Sequence, residues 1–219
     1  MNSASTPSSR VFGRRKGRPL RVRKTMLMEE FLPKVLIALK DGEKMTPQHP
    51  LWLEIGFGGG EHLAAQAKLH PHINFIGCEP FVNGVASLLD HLEREAIGNV
   101  RVFNDDARKM LDALPGASIE KCFILFADPW PKTRHAERRF VGPENLARLA
   151  RALKQGAILR VASDHPSLVG WMAECLEADE NFARIYASDE PPADWVQTRY
   201  QEKALAAGRK PFFMDYQRL

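Results

Sequence analysis

Apolar positions along the chain fall into two alternating patterns. Short continuous apolar runs occupy 51–55, 73–78, 100–103, 122–127, 157–162 and 182–187. Between them, apolar residues recur every three or four positions over 61–69, 82–96, 107–114, 143–153 and 166–176. The first pattern predicts strands and the second amphipathic helices. In 82–96 the helical stripe is Leu88, Leu89 and Leu92, and Pro143 stands where a first helical turn accepts proline. Strands separated by helices of this length predict a parallel sheet with helices on both faces. Unbroken apolar runs such as Phe123-Ile-Leu-Phe126 fit strands covered on both sides. The end of the chain, 212–216, supplies a seventh strand.

Ahead of the first strand, 25–40 reads as a helix with Thr25 as its cap and Leu27, Phe31, Leu32, Val35, Leu36 and Leu39 on one face. Gly42, Pro47 and Pro50 mark 41–50 as a linker. The expected organisation is therefore a flexible arm over 1–24, a helix and linker over 25–49, and an α/β domain over 50–219.

Composition changes this picture little, and charge changes it more. No apolar run approaches the ~20 residues that span a bilayer, and no secretory signal is expected. Cys78, Cys122 and Cys175 share no short spacing, which predicts free thiols and no metal site, as in a cytoplasmic protein. The net charge is +4, but eight basic residues and no acid lie within the first 24: Arg10, Arg14, Arg15, Lys16, Arg18, Arg21, Arg23 and Lys24. A mildly acidic body thus carries a basic arm. Such an arm binds polyanions by counterion release, or is a solvated tail. A transit peptide is the least suitable reading, because Gly13-Arg-Arg-Lys-Gly-Arg-Pro19 makes a poor amphipathic helix.

In open α/β sheets, ligands bind beyond the carboxyl ends of the strands. Glu54, Glu79, Asp106 and Asp128 all fall at or just past such ends. The first turn, Leu53-Glu-Ile-Gly-Phe-Gly-Gly-Gly-Glu61, lets the backbone approach a ligand at Gly56 and Gly58. A dinucleotide fingerprint requires a third glycine where Glu61 stands, and that carboxylate opposes a pyrophosphate at the helix start. S-adenosyl-L-methionine carries an ammonium and a sulfonium and no pyrophosphate, so acids at this turn suit it. Glu79 is placed to accept from ribose hydroxyls and Asp106 from an adenine amino group, with helix capping the bland role for Asp105 or Asp106.

The fourth strand runs into Asp128-Pro-Trp-Pro-Lys-Thr-Arg-His-Ala-Glu-Arg-Arg139. An acid, a stacking face at Trp130 and the cations Lys132, Arg134, Arg138 and Arg139 suit a nucleotide base and its phosphates. A solvated loop with a tryptophan anchor is the plainer alternative.

At this point the chain resembles the bacterial tRNA (guanine-N7-)-methyltransferases over about residues 50–216. The resemblance rests on Leu53-Glu-Ile-Gly-Phe-Gly58, Phe75-Ile-Gly-Cys-Glu79, Asp105-Asp-Ala107, Asp128-Pro-Trp-Pro-Lys132 with its basic run, Ala162-Ser-Asp164 and Thr198-Arg-Tyr-Gln201. It implies a Rossmann-like class I methyltransferase with a mostly parallel seven-stranded sheet, acting on a guanine of the tRNA variable loop. It further implies donor contacts at Glu54, Gly56, Gly58, Glu79, Asp106 and Asp128, with Asp128 also catalytic. Lys132, Asp164, Thr198, Arg199 and Gln201 are implied as guanine or tRNA contacts, joined by Arg134, Arg138 and Arg139. Where the family has Lys-Phe-Glu, this chain has Arg199-Tyr-Gln201, with Glu202 adjacent. The implied partner is tRNA, with no membrane and no obligatory protein partner. Rival readings are an exocyclic-amine methyltransferase of nucleic acids, whose motif is Asp-Pro-Pro-aromatic, an NAD-dependent dehydrogenase, and a non-catalytic RNA-binding protein of the same fold.

Overall fold

The computed structural model describes residues 15–219. Most of the arm's serine-rich start, with Arg10 and Arg14, lies outside the described residues. Seven strands form one sheet in the order β3-β2-β1-β4-β5-β7-β6: β1 Leu51–Ile55, β2 Asn74–Cys78, β3 Val100–Phe103, β4 Ile119–Leu125, β5 Leu153–Ser163, β6 Phe182–Ser188 and β7 Phe212–Arg218. The first five are parallel, and β7 runs antiparallel between β5 and β6. The crossovers are α3 Glu61–Leu69, α4 Val82–Arg94, α5 Ala107–Ala113, α6 Pro143–Ala152 and α7 Pro166–Glu177, and α8 Arg199–Ala206 precedes β7.

The period-2 alternation of the strands divides the core between two faces. Leu53, Ile55, Cys78, Cys122, Ile124, Leu159 and Val161 pack against α5, α6 and α7 through Met110, Leu111, Leu149 and Met172. Phe75, Val100 and Val102 pack on the other face against α3 and α4 through Leu63, Leu88, Leu89 and Leu92. A third, smaller cluster of Phe123, Leu125, Ala162 and Phe213 is covered by Trp195, which lies on the connection between β6 and α8. None of the helices among the described residues is long and apolar enough to cross a membrane. Cys78, Cys122 and Cys175 are free thiols.

The N-terminal region differs from the helix expected over 25–40. Helix α1 Val22–Met26 passes through a π-helical turn, Leu27–Phe31, into α2 Leu32–Val35. Pro33 lacks an amide hydrogen, which weakens helical bonding at this join. Beyond Val35 the chain turns extended, and Ile37 N donates to the Val102 carbonyl at 2.8 Å. The exposed edge of β3 thus outbids continuation of the helix. The stretch read as the end of a free arm is also tied down. Val82 N donates to the Arg15 carbonyl at 3.0 Å, and Asn83 bonds the backbone at Gly17 and Arg18. The helix begins at Val22, so Thr25 is inside it rather than capping it.

Candidate functional site

A cavity of about 690 Å³ opens beyond the carboxyl ends of β1, β2 and β4. The register explains how its walls meet. Ile55 pairs with Cys78, and Gly56 N donates to the Cys78 carbonyl at 2.8 Å, which sets Gly56 beside Glu79. Gly56 and Gly58 hold φ of +74° and +57°, the left-handed region that a side chain disfavours. Nothing lies within 4 Å of where a Cβ on Gly56 would point, so the space before the turn is open.

Glu79 is 8% exposed and forms the cavity wall. Its Oε2 accepts from Gly58 N and its Oε1 from Phe81 N, each at 2.9 Å. Burial raises its pKa above the ordinary glutamate value, against those two amides, and the nearby charges of Asp128 and Glu54 raise it further. Each oxygen accepts only one bond, so Glu79 keeps acceptor capacity in the cavity wall for hydroxyl donors. Asp128 is exposed in the same cavity, and its carboxylate makes no hydrogen bond or ion pair among the described residues.

Glu54 and Asp106 are placed differently from expectation. Successive strand residues point to opposite faces. Ile55 lines the cavity, and Glu54, 3% exposed, faces α3, where His62 Nδ1 lies 2.7 Å from its Oε2. His62 packs edge-on against Phe123. The Glu54 carboxylate is therefore absent from the cavity lining and is engaged by His62 of α3. Asp106 does line the cavity, but its carboxylate caps α5 through Arg108 N at 3.0 Å and pairs with the Arg108 guanidinium at 2.5 Å. The capping role foreseen for this pair of acids falls to Asp106, while Asp105 pairs with Arg15 at 2.5 Å and Lys109 at 3.0 Å.

The loop after β4 forms the outer rim, and Thr133–Arg138 is a 3-10 turn. Phe126 and Trp130 hold positive φ, 52° and 40°, an uncommon conformation for aromatic residues that clusters at functional sites. The four cations divide into three placements. Arg139 donates to the carbonyls of Pro129 and Trp130 at 3.1 and 3.2 Å and stands over the Trp171 ring, so it shapes the loop. Arg138 stacks over Trp130 with 5.0 Å between guanidinium and ring centroid, and both line the cavity. Lys132 and Arg134 are exposed beyond the rim.

The Thr198–Gln201 segment opens α8. Thr198 Oγ1 accepts from Gln201 N at 3.0 Å, and Gln201 Oε1 accepts from Trp195 Nε1 at 2.6 Å. Both side chains are buried and engaged within the protein. Arg199 lies 3.7 Å from Glu61, and Asp164 pairs with Arg209 at 2.6 Å. Two residues not singled out from the sequence enter here. Arg209 neutralises Asp164, and Tyr200 reaches the cavity wall. No sequence signal marked Arg209. Tyr200 lay within a recognised segment, but only the fold shows which way it points.

The cavity pairs an anionic inner wall with a rim of aromatic and cationic groups. That arrangement suits an inner ligand with hydroxyl donors and positive charge, and an outer base with phosphates. Among the described residues no group of three or more His, Cys, Asp or Glu is gathered to hold a metal ion.

Comparison with known proteins gives three results. A family described as "Putative methyltransferase" matches residues 48–214. Two curated relatives, each named tRNA (guanine-N(7)-)-methyltransferase, match nearly the whole chain. The one from Paramagnetospirillum magneticum is 47% identical over 99% of this chain and 95% of its own, and the one from Granulibacter bethesdensis 45% identical over 100% and 98%. Among solved structures, the 16S rRNA methyltransferase KamB superposes with a TM-score of 0.59 at 16% identity, over 77% of this chain and 87% of that one, and so shares the fold.

Proposed function

The chain belongs to the tRNA (guanine-N(7)-)-methyltransferase family, and from that premise we propose that it moves a methyl group from S-adenosylmethionine to N7 of a guanine in the variable loop of tRNA, in the cytoplasm. The observation that carries the reading is one cavity holding the open glycine turn, Glu79 and Asp128, the latter without a partner among the described residues, beneath a rim of Trp130 and Arg138.

These residues fit the donor. Gly56 leaves open space before the turn, and Glu79 keeps acceptor capacity for ribose hydroxyls in an anionic wall suited to a cation. When bound, the donor supplies an electrophilic methyl on a positive sulfur. The acceptor N7 has an in-plane lone pair and no proton, so the reaction needs no general base. What the chain contributes is position and field. Trp130 gives the guanine a stacking face, Asp128 accepts from its N–H edge, and the same carboxylate stabilises the positive charge that the purine acquires. Lys132 and Arg134, exposed beyond the rim, meet tRNA phosphates. Asp106 contributes by fixing the start of α5 rather than by offering a free carboxylate.

The test is methyl transfer from labelled S-adenosylmethionine to two unmodified tRNA transcripts, one with guanine and one with adenine at the variable-loop target. Labelled product would be cleaved chemically at N7-methylguanine. Label on the first transcript alone, with cleavage at that guanine, is the expected result. Label on both transcripts, or cleavage elsewhere, would overturn the variable-loop assignment.

A further inference from the structure

Tyr200 stands apart from its neighbours at the start of α8. Thr198 and Gln201 turn inward and spend their hydrogen bonds inside the protein, whereas Tyr200 remains 46% exposed and yet lines the donor cavity. Its ring lies directly on the glycine turn. A Cβ placed on Gly58 would fall 2.9 Å from Tyr200 Cε2 and 3.3 Å from its hydroxyl oxygen. The same Gly58 donates its amide to Glu79, so ring, turn and carboxylate form one contiguous wall. The phenol makes no hydrogen bond among the described residues. Burial, then the charges of Glu79 and Glu61, raise its pKa, so the group stays neutral beside the carboxylates.

The ring is held there from behind. Trp195 Nε1 anchors Gln201, Thr198 caps the helix, and Arg199 faces Glu61 at the start of α3. Trp195 and Thr198 thus fix the first turn of α8, and Arg199 ties it to the start of α3 after the glycine turn.

From this placement we infer that Tyr200 is a wall of the methyl-donor site: its ring closes the cavity over Gly58 and packs on the bound donor. Its family segment is implied in tRNA contact, but this one side chain faces the other ligand. A neutral aromatic face suits a ligand carrying a sulfonium, since the ring attracts a cation without requiring a counter-charge. The inference rests on the S-adenosylmethionine reading above.

The experiment is calorimetric titration with S-adenosylhomocysteine and S-adenosylmethionine, which reads binding without turnover, on wild type, Tyr200→Ala and Tyr200→Phe. Filter binding of tRNA and a thermal melt of each unliganded protein accompany it. Tyr200→Ala should bind both ligands about tenfold more weakly, equivalent to ~1.4 kcal/mol. Tyr200→Phe should keep affinity within about twofold, because the ring is retained, and tRNA affinity should stay near wild type in both. An unchanged Kd in Tyr200→Ala would overturn the inference, as would equal losses in Ala and Phe, or lost tRNA affinity with donor affinity intact. A wild-type protein that binds neither ligand would instead overturn the donor reading itself.

Discussion

Asp128 and Glu79 share a cavity but are held in opposite ways, and their substitutions should differ accordingly. Asp128 has no partner among the described residues, so its charge is available to a ligand. Asp128→Asn keeps the shape and removes the charge. It should lower kcat by roughly 100-fold, the scale of losing one preorganised electrostatic interaction. Its donor Kd, measured by calorimetry, should change much less. Equal losses in both would assign Asp128 to binding alone. Glu79 is buried, and its pKa is raised chiefly by that burial. Its protonated form therefore appears at a higher pH than for an ordinary glutamate, and a protonated carboxyl loses acceptor capacity. Donor affinity should thus fall as pH is lowered from neutrality toward the raised pKa, and this dependence should vanish in Glu79→Gln, a comparison that calorimetry across pH would make. Glu79 and Asp128 were legible as strand-end acids because strand ends show in apolar runs, and both line the one cavity. Glu54 lies off the cavity lining for a reason visible only in register. One residue along a strand reverses the face, so Ile55 takes the cavity and Glu54 takes His62.

At the level of elements, the connection between β6 and α8 replaces a covering helix on one stretch of the sheet. Asp194 bonds Lys121 and Arg160 at 2.7 Å each, and Trp195 packs on Phe213 with ring centroids 4.7 Å apart. Beneath it, Arg160 is 3% exposed and makes a two-pronged pair with Asp215 at 2.8 and 2.7 Å. Removing Asp215 leaves the buried Arg160 guanidinium with only the more exposed Asp194 as a carboxylate partner, so Asp215→Ala should cost about 3 kcal/mol in a denaturant melt, the low end for a broken buried pair. Asp194 is more than half exposed, and Asp194→Ala should cost about 1 kcal/mol or less. Its two cationic partners, working against its burial, lower the Asp194 pKa to about 2. The contribution is therefore present above the unfolded aspartate pKa of about 3.9 and is lost as pH falls toward 2. Melts should show the wild-type advantage over Asp194→Ala at pH 6 shrinking across that window. Helix α8 itself escaped the periodicity reading because Arg199–Ala206 is mostly polar and carries no repeating apolar stripe. Its signal was Thr198-x-x-Gln201, the spacing of a capping box, which marks a helix start without any apolar stripe. The break in the helix expected over 25–40 was legible only at Pro33. The competing pull, the open edge of β3, is a long-range interaction that a local pattern does not carry.

Over the whole molecule, the alternation of apolar runs and helical stripes specified a mostly parallel sheet, since parallel neighbours require crossovers and crossovers leave a periodic mark. The insertion of β7 between β5 and β6 leaves no such mark, because antiparallel pairing at an edge is set by tertiary packing. Charge distribution was legible as a total but not as an allocation. The basic residues of the N-terminal region look equivalent in sequence, yet the fold spends some of them. Arg23 pairs with Asp90 and Glu93 on α4, Lys24 bonds Ser87, and Arg15 meets Asp105 at the cavity rim. Lys16, Arg18 and Arg21 are exposed, with no side-chain pair among the described residues, and so keep their charge for a polyanion. Deleting the entire arm would confound these roles, because it would remove rim and helix interactions together with free cations. Point variants separate them. The triple variant Lys16→Ala, Arg18→Ala, Arg21→Ala should weaken tRNA binding and flatten the log–log salt dependence by about one unit for each phosphate that goes unneutralised, with an unchanged melting temperature. Arg23→Ala should leave the salt slope at the wild-type value and lower stability by under about 1 kcal/mol, as expected for an exposed pair. Equal flattening by both variants, in filter binding from low to physiological salt, would mean that Arg23 abandons α4 when tRNA arrives and that the docked segment is not the bound form.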